Sequence, residues 1–220
     1  MRQAATRRPQ LYSYVVKVDK GFAPNPFGGY CTLAACTPNH LGVRVESGDW
    51  IMGNSDKRSD QRLIYAMRIS EVLAFDDYFR DPRFQAKKPR KGSSWKNLCG
   101  DNIYFIGESG QYQQAFSHFH TEPHRLEQDT KHPRVFISDH FYYFGENALD
   151  IPAEFGALIR GSQGCKKDHP PEVVAGFISW LEQSFGPGIL GLPRDREGGA
   201  AGACDPRLSP RSRSVVCDDC

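Results

Sequence analysis

The residues best suited to holding a ligand lie in one loop at positions 19–36, DKGFAPNPFGGYCTLAAC. Its two prolines fix their own φ and extend the residues before them, and its two adjacent glycines allow backbone to come close to a ligand. With its aromatic rings, such a loop suits a flat group such as a nucleobase, and it equally suits a packed turn whose rings join the core. The candidate binding residues are Asn25, Phe27, Gly28, Gly29 and Tyr30.

A second polar and aromatic group follows Gly100. An asparagine amide can form two hydrogen bonds with adenine, so Asn102, with Asp101 and with Asn25 of the loop, is a candidate for reading a base edge. Tyr104 is a further nucleotide-binding candidate. The alternative for the polar pair is an Asx turn. Asp49 precedes an apolar strand, where its carboxylate is better suited to capping a turn than to catalysis.

Acid–base chemistry is a different possibility. Asp139, His140 and Asp101 form the candidate catalytic set. Asp139 and His140 are adjacent in a segment with strand character. Neighbouring strand residues point to opposite faces, so Asp139 could orient the His140 ring only if a bulge intervenes. His118 and His120 would share a strand face, as a metal site could use, but no cysteine lies at finger-like spacing. The sequence therefore predicts no metal ligands and no cofactor.

One basic cluster contains an aromatic residue, Trp95, and could hold a nucleic-acid backbone in a salt-sensitive, sequence-independent way. A solvated loop is the alternative interpretation. The candidate phosphate-binding residues are Lys87, Lys88, Arg90, Lys91 and Lys96.

Composition narrows the class of protein. The net charge of +2 provides no strong general field for attracting DNA, so any nucleic-acid contact must come from a local patch. No run of 18 apolar residues is present, and the first ten residues lack the apolar stretch of a signal peptide. Seven irregularly spaced cysteines then predict reduced thiols and a cytoplasmic location, with no membrane partner.

The chain divides into a basic mobile leader at 1–10, one folded domain at 11–186 and a tail at 187–220. The tail is rich in Gly, Pro, Arg and Ser and is predicted to be disordered. Alternating and β-branched patterns predict strands, and a hairpin turns at 108–110. The predicted strands are 11–18, 30–36, 42–45, 50–53, 62–70, 102–107, 111–115 and 134–144, the last bent at Ser138–Asp139. Helices are predicted at 75–84 and 171–185.

Many strands of uneven length with few helices favour a mixed α+β fold, built on a curved or closed small β-barrel with a few flanking helices. Regular alternation of strand and helix is absent from the sequence, and no Gly-rich turn opens a helix. These absences argue against a doubly wound α/β fold.

Several segments together resemble the bacterial and phage nucleotide modification associated domain, the second family of that name. They are LYSYVVKVDKGFAPNPFGGYCTLAAC, GDWIMG, LIYAMRISEVLAFDDYFRDPRFQAKKP, GDNIY and VFISDHFYYFG, and they span about residues 11–160. The block around the predicted helix at 75–84 and the following DPRFQAKKP is also similar to base-reading domains of the PUA and EVE type, which are small β-barrels.

The resemblance implies association with systems that modify DNA bases, and brings no defined reaction with it. It adds Asp49 to the nucleotide-binding candidates and supports the loop, the group after Gly100 and the Asp139–His140 pair. The leading hypothesis is recognition of a nucleotide or modified DNA base by a PUA-like barrel. The alternatives are an enzyme of such a pathway using Asp and His chemistry, and an accessory protein whose aromatic loop is only core.

Overall fold

A computed structural model describes residues 7–35, 44–162 and 164–196 of the chain. These residues form strands, four α-helices and short 3-10 turns. The strands are β1 Leu11–Val15, β2 Cys31–Leu33, β3 Trp50–Asn54, β4 Leu63–Arg68, β5 Glu71–Ala74, β6 Tyr104–Ile106, β7 Tyr112–Gln114, β8 Arg134–Ser138, β9 His140–Tyr143 and β10 Gly188–Ile189. The helices are α1 Phe75–Arg80, α2 Trp95–Leu98, α3 Pro123–Thr130 and α4 Pro171–Ser184.

The larger sheet has five strands in the order β1-β3-β4-β9-β10. Its outer pairs are parallel and its inner pairs are antiparallel. Helix α4 covers one face and buries Val174, Phe177 and Leu181 against Trp50 and its neighbours. Because both faces are covered, the central strands are buried along nearly their whole length.

A smaller antiparallel sheet has the order β2-β8-β5, and it is joined to the larger one by two bent chain segments. The chain passes from β4 to β5 through Ser70, and from β8 to β9 through Asp139. At the bend the Ser70 hydroxyl donates to the Asp139 carboxylate and accepts from the Asp139 amide at 3.1 Å. The predicted bend at Ser138–Asp139 is confirmed. The continuous segments β4–β5 and β8–β9 each contribute one strand to the larger sheet and one to the smaller sheet.

The small PUA-like β-barrel predicted from the sequence is wrong. Across residues 7–35, 44–162 and 164–196 the structure is mixed α/β with several open sheets, and none closes into a barrel. Closure requires every strand to pair on both sides, whereas β1 and β10 are edges of the larger sheet, and β2 and β5 are edges of the smaller one. Strand patterns cannot distinguish a stave of a barrel from a strand shared between two open sheets.

Most of the predicted elements are confirmed, including the β6–β7 hairpin and α4. The predicted strand at 42–45 lies partly outside the described residues, and Arg44 and Val45 are not in a strand. Of the tail predicted at 187–220, residues 197–220 lie outside the described residues. Within 187–196, strand β10 pairs with β9, and the Asp195 amide donates to the Asp19 carbonyl at 2.8 Å. Within the described segments, no helix combines the length and apolar character needed to cross a bilayer.

Candidate functional site

Lys87 binds the buried side of the loop at 19–36, which we call the aromatic loop. It ends the 3-10 segment Pro82–Lys87, and its side chain is 2 % exposed. Its ammonium donates to the backbone carbonyls of Asn25 at 2.9 Å and Tyr30 at 2.6 Å. It also donates to Asn25 Oδ1 and Thr32 Oγ1, both at 3.0 Å. One buried cation therefore ties both ends of the loop to the following strand β2.

The same cation belongs to a buried polar cluster made of Asn25, Thr32, Tyr78, Lys87 and Asp101. The Thr32 hydroxyl donates to the Asp101 carboxylate at 2.6 Å, and the Tyr78 hydroxyl donates to its other oxygen at 2.8 Å. Burial raises the pKa of Asp101, and the nearby Lys87 ammonium and these hydrogen bonds oppose that rise. The cluster joins the loop to β2, α1 and the segment after Gly100.

Both predicted base-reading amides lie inside the protein. Asn25 and Asn102 are each 1 % exposed. Asn25 Nδ2 donates to the Cys99 carbonyl at 2.5 Å, and Asn102 Nδ2 donates to the carbonyls of Tyr78 and Phe84, both at 3.1 Å. These contacts give both amides a role in holding the loop and the segment after Gly100 together.

Tyr104 is also enclosed. Its hydroxyl donates to Asp129 at 2.8 Å and lies 3.1 Å from Nδ1 of His120, all three side chains being buried. His118 and His120 lie in an irregular loop, so they do not form the strand face considered for a metal. Within the described segments no group of three His, Cys, Asp or Glu side chains could hold a metal ion.

The loop presents its other predicted residues at the surface. Gly28 and Gly29 are exposed, with φ of +76° and +86°, and Phe27 and Tyr30 are partly buried. Phe27 meets Trp95 of α2 edge-on with ring centroids 5.5 Å apart. The Lys96 ammonium lies 5.9 Å from the centroid of each of these two rings. We call Phe27, Gly28, Gly29, Tyr30, Trp95 and Lys96 the aromatic–basic surface.

The predicted phosphate-binding residues divide between interior and surface. Lys87 is internal, whereas Arg90, Lys91 and Lys96 are exposed. Lys88 is partly buried, with its ammonium 3.5 Å from the centroid of the Phe79 ring. The loop and the basic segment, some 60 positions apart in the sequence, are thus brought together, with Lys87 as the link between them.

The predicted catalytic residues have separate neighbours. Asp101 lies in the buried polar cluster, and Asp139 contacts Ser70 at the bend. His140 Nε2 lies 3.3 Å from the Tyr142 hydroxyl. Among the residues described, no hydrogen bond joins Asp101 to Asp139 or to His140. Nor does Asp49 bring these groups together, because its carboxylate pairs with Arg7 at 2.6 Å and accepts from the backbone amides of residues 10 and 46.

Sequence reasoning did not identify Thr32 and Tyr78 as members of the site. Thr32 is one hydroxyl within an apolar strand, and Tyr78 lies on the apolar side of α1, where a ring is expected to be core. Their only signal in the sequence is a hydroxyl at a buried position, since such a group needs a partner there.

A comparison with known protein families shows to which family the chain belongs. The family model described as Nucleotide modification associated domain 2 matches residues 8–198. The chain belongs to this family. The nucleotide modification associated domain 2 match confirms the resemblance seen in the sequence and links the chain to nucleotide modification, while the likeness to PUA and EVE domains has no support. No curated protein and no solved structure matches the chain.

Titration of Lys87 tests the geometry of the buried polar cluster. Burial lowers the pKa of its ammonium from 10.5 to about 8, and the Asp101 carboxylate opposes this. Between these values the unfolded chain keeps a proton that the folded chain has lost, so this residue's contribution to stability increases as pH rises through that window. NMR of isotope-labelled lysine side chains should show one resonance titrating near pH 8, absent from Lys87→Met. A lysine spectrum without a titration below pH 9.5 would contradict it.

Proposed function

We propose that this protein recognises a nucleotide, or a modified base in DNA, at the aromatic–basic surface. The observation that carries the proposal is the position of the Lys96 ammonium, 5.9 Å from the centroids of both Phe27 and Trp95. Rings that bind a base and a cation that binds its phosphate are the two components of sequence-tolerant nucleic-acid binding sites. Membership of a nucleotide modification family supports this class of ligand.

In the proposed complex the base stacks on Phe27 or Trp95. Exposed glycines at 28 and 29 let the ligand approach the backbone, and no atom described here comes within 4 Å of where a Cβ on Gly29 would stand, apart from its chain neighbours. That space accommodates a substituent on a modified base. Arg90, Lys91 and Lys96 then contact phosphates, and the small net charge makes this local patch the source of affinity.

The placement of the acidic and histidine candidates favours binding over catalysis. Asp101 is buried with its oxygens bonded to Thr32 and Tyr78, and Asp139 and His140 lie at the bend between the sheets. An acid–base mechanism needs such groups within hydrogen-bond reach of one reacting centre. A protein that reads a base for a separate modifying enzyme therefore fits the geometry better than the enzyme itself.

Fluorescence titration with nucleotides and with modified and unmodified oligonucleotides at low salt tests the proposal. Trp95→Leu should weaken binding by about 1–3 kcal/mol, roughly 5- to 150-fold, because one stacking ring is lost. Lys96→Met should weaken binding and reduce its salt dependence by about one phosphate contact. Lys131→Met changes an exposed lysine that directly follows α3; it is the matched control and should leave affinity unchanged.

Thermal unfolding of each variant separates loss of the ligand from loss of the fold. Failure of the folded wild-type protein to bind every nucleotide and oligonucleotide, modified or not, would end the proposal. If Trp95→Leu, Lys96→Met and the wild type bound the oligonucleotides with equal affinity, the binding site would not lie at the aromatic–basic surface.

A further inference from the structure

A cleft of about 800 Å³ lies between the end of α1 and the β6–β7 hairpin, outside the aromatic–basic surface. It contains none of the residues assigned to that surface. Two rings, the Arg80 guanidinium and the tight turn that carries the Glu108 carboxylate form its walls. The residues that line it include Phe79, Arg80, Phe105, Gly107, Ser109 and Gln113.

The cleft contains a stacking platform. Phe79 and Phe105 stack with centroids 4.6 Å apart and planes 23° apart. The Lys88 ammonium lies 3.5 Å from the centroid of Phe79, and it must use the face that Phe105 does not. Both faces of Phe79 are then occupied, so a further planar group in the cleft would have to stack on Phe105, which is partly buried and lines the cleft.

A free amide lies beside this platform. Gln113 is exposed, and across the described ranges its side-chain amide has no hydrogen-bond partner. It packs against Gly107, where an added Cβ would lie 2.4 Å from the Gln113 amide carbon. A glutamine amide can form paired hydrogen bonds with the N6 and N7 positions of adenine. The cleft thus combines a ring for stacking with a group that reads a base edge.

The basic segment connects the cleft to the aromatic–basic surface. Lys87 reaches the Asn25 and Tyr30 carbonyls, whereas the next residue, Lys88, reaches the Phe79 ring of the cleft. Lys87 and Lys88 are consecutive residues, so one short segment of chain contacts both the aromatic loop and the cleft. Exposed Arg90 and Lys91 follow directly. Aromatic sites on either side of a cationic segment match the alternation of bases and phosphates in a strand.

We propose that the cleft binds the base of a neighbouring nucleotide in the same strand, stacked on Phe105 and hydrogen-bonded by Gln113. The ligand is then a single-stranded or locally unpaired oligonucleotide rather than a mononucleotide. This inference rests on the proposed function, since the first base occupies the aromatic–basic surface.

The experiment compares a mononucleotide with adenine-containing single strands of about 4–8 nucleotides, the lower part of the range for such sites. The wild-type protein should bind the strand about 5- to 150-fold more tightly, the gain from one further stacked base. Phe105→Leu and Gln113→Ala should each remove much of that gain and leave mononucleotide binding unchanged. Gln111→Ala is the matched control, being an exposed glutamine on the same hairpin but outside the cleft.

The possible results separate the two proposals. Equal binding of mononucleotide and strand by the wild type would overturn the second base site and leave the first intact. So would a strand preference that survives in folded Gln113→Ala and Phe105→Leu proteins. Absence of binding to either ligand would defeat the proposed function, and the second base site with it.

Discussion

Replacing Lys87 by methionine is expected to lower the free energy of unfolding by about 3–5 kcal/mol. The substitution keeps most of the apolar stem but leaves the Asp101 carboxylate buried without its cation. It also removes the donor to the carbonyls of Asn25 and Tyr30. Urea unfolding at neutral pH measures the change.

The neighbouring residue provides the control. Lys88→Met removes a partly buried cation that lies over Phe79, and it should cost no more than about 1 kcal/mol. Adding Asp101→Asn to Lys87→Met should recover part of the lost stability, because the unpaired buried charge is then gone. Equal unfolding midpoints and slopes for Lys87→Met and Lys88→Met would show that the buried cluster does not stabilise the protein.

The second large effect is expected from Gly100→Ala. A Cβ at this position would lie 2.3 Å from the Lys87 carbonyl oxygen and 2.7 Å from the Pro89 nitrogen. Both are backbone atoms and cannot rotate away, so the 87–89 segment must move away from Gly100 and Asp101. We expect a loss of about 1–3 kcal/mol in unfolding free energy, together with a pKa of Lys87 closer to its usual value.

Gly156→Ala is the matched control for this substitution. Among the described residues, no neighbouring atom lies within 4 Å of an added Cβ at Gly156, and its φ is ordinary for any residue. Stability should be unchanged or slightly higher, because alanine restricts the unfolded chain. The close approach of the two segments would have no structural importance if Gly100→Ala and Gly156→Ala unfolded at the same urea concentration.

Elements with a strong local pattern were predictable from the sequence. The β-branched and aromatic runs at 11–18, 62–70 and 134–144 lie in strands, and the apolar stripe at 171–185 forms α4. Helix α3 was missed because its sequence, PHRLEQDT, is mostly polar. The arrangement of the strands was not predictable either, because pairing depends on contacts far apart in the chain.

The candidate site shows the same division between local and distant information. The loop and the basic segment were selected as candidates from their own composition. A run of charged residues gave no sign that Lys87 alone would turn inward, because its partners Asn25, Tyr30 and Thr32 lie more than 50 positions away. Asn25 and Asn102 were read as ligand contacts for the same reason, since their internal acceptors come from distant segments.

The bend at Ser70 and Asp139 has a consequence for how a ligand enters. Because β4 pairs with β9 and β5 pairs with β8, the same two chain segments pass through the bend side by side and link the sheets. We expect this double connection to restrain movement of one sheet relative to the other. For the ligands proposed above, we therefore expect discrimination to come from a preformed surface instead of from closure of one sheet on the other. Encounter should follow simple one-step kinetics, with differences between ligands appearing mainly in how long each one stays bound.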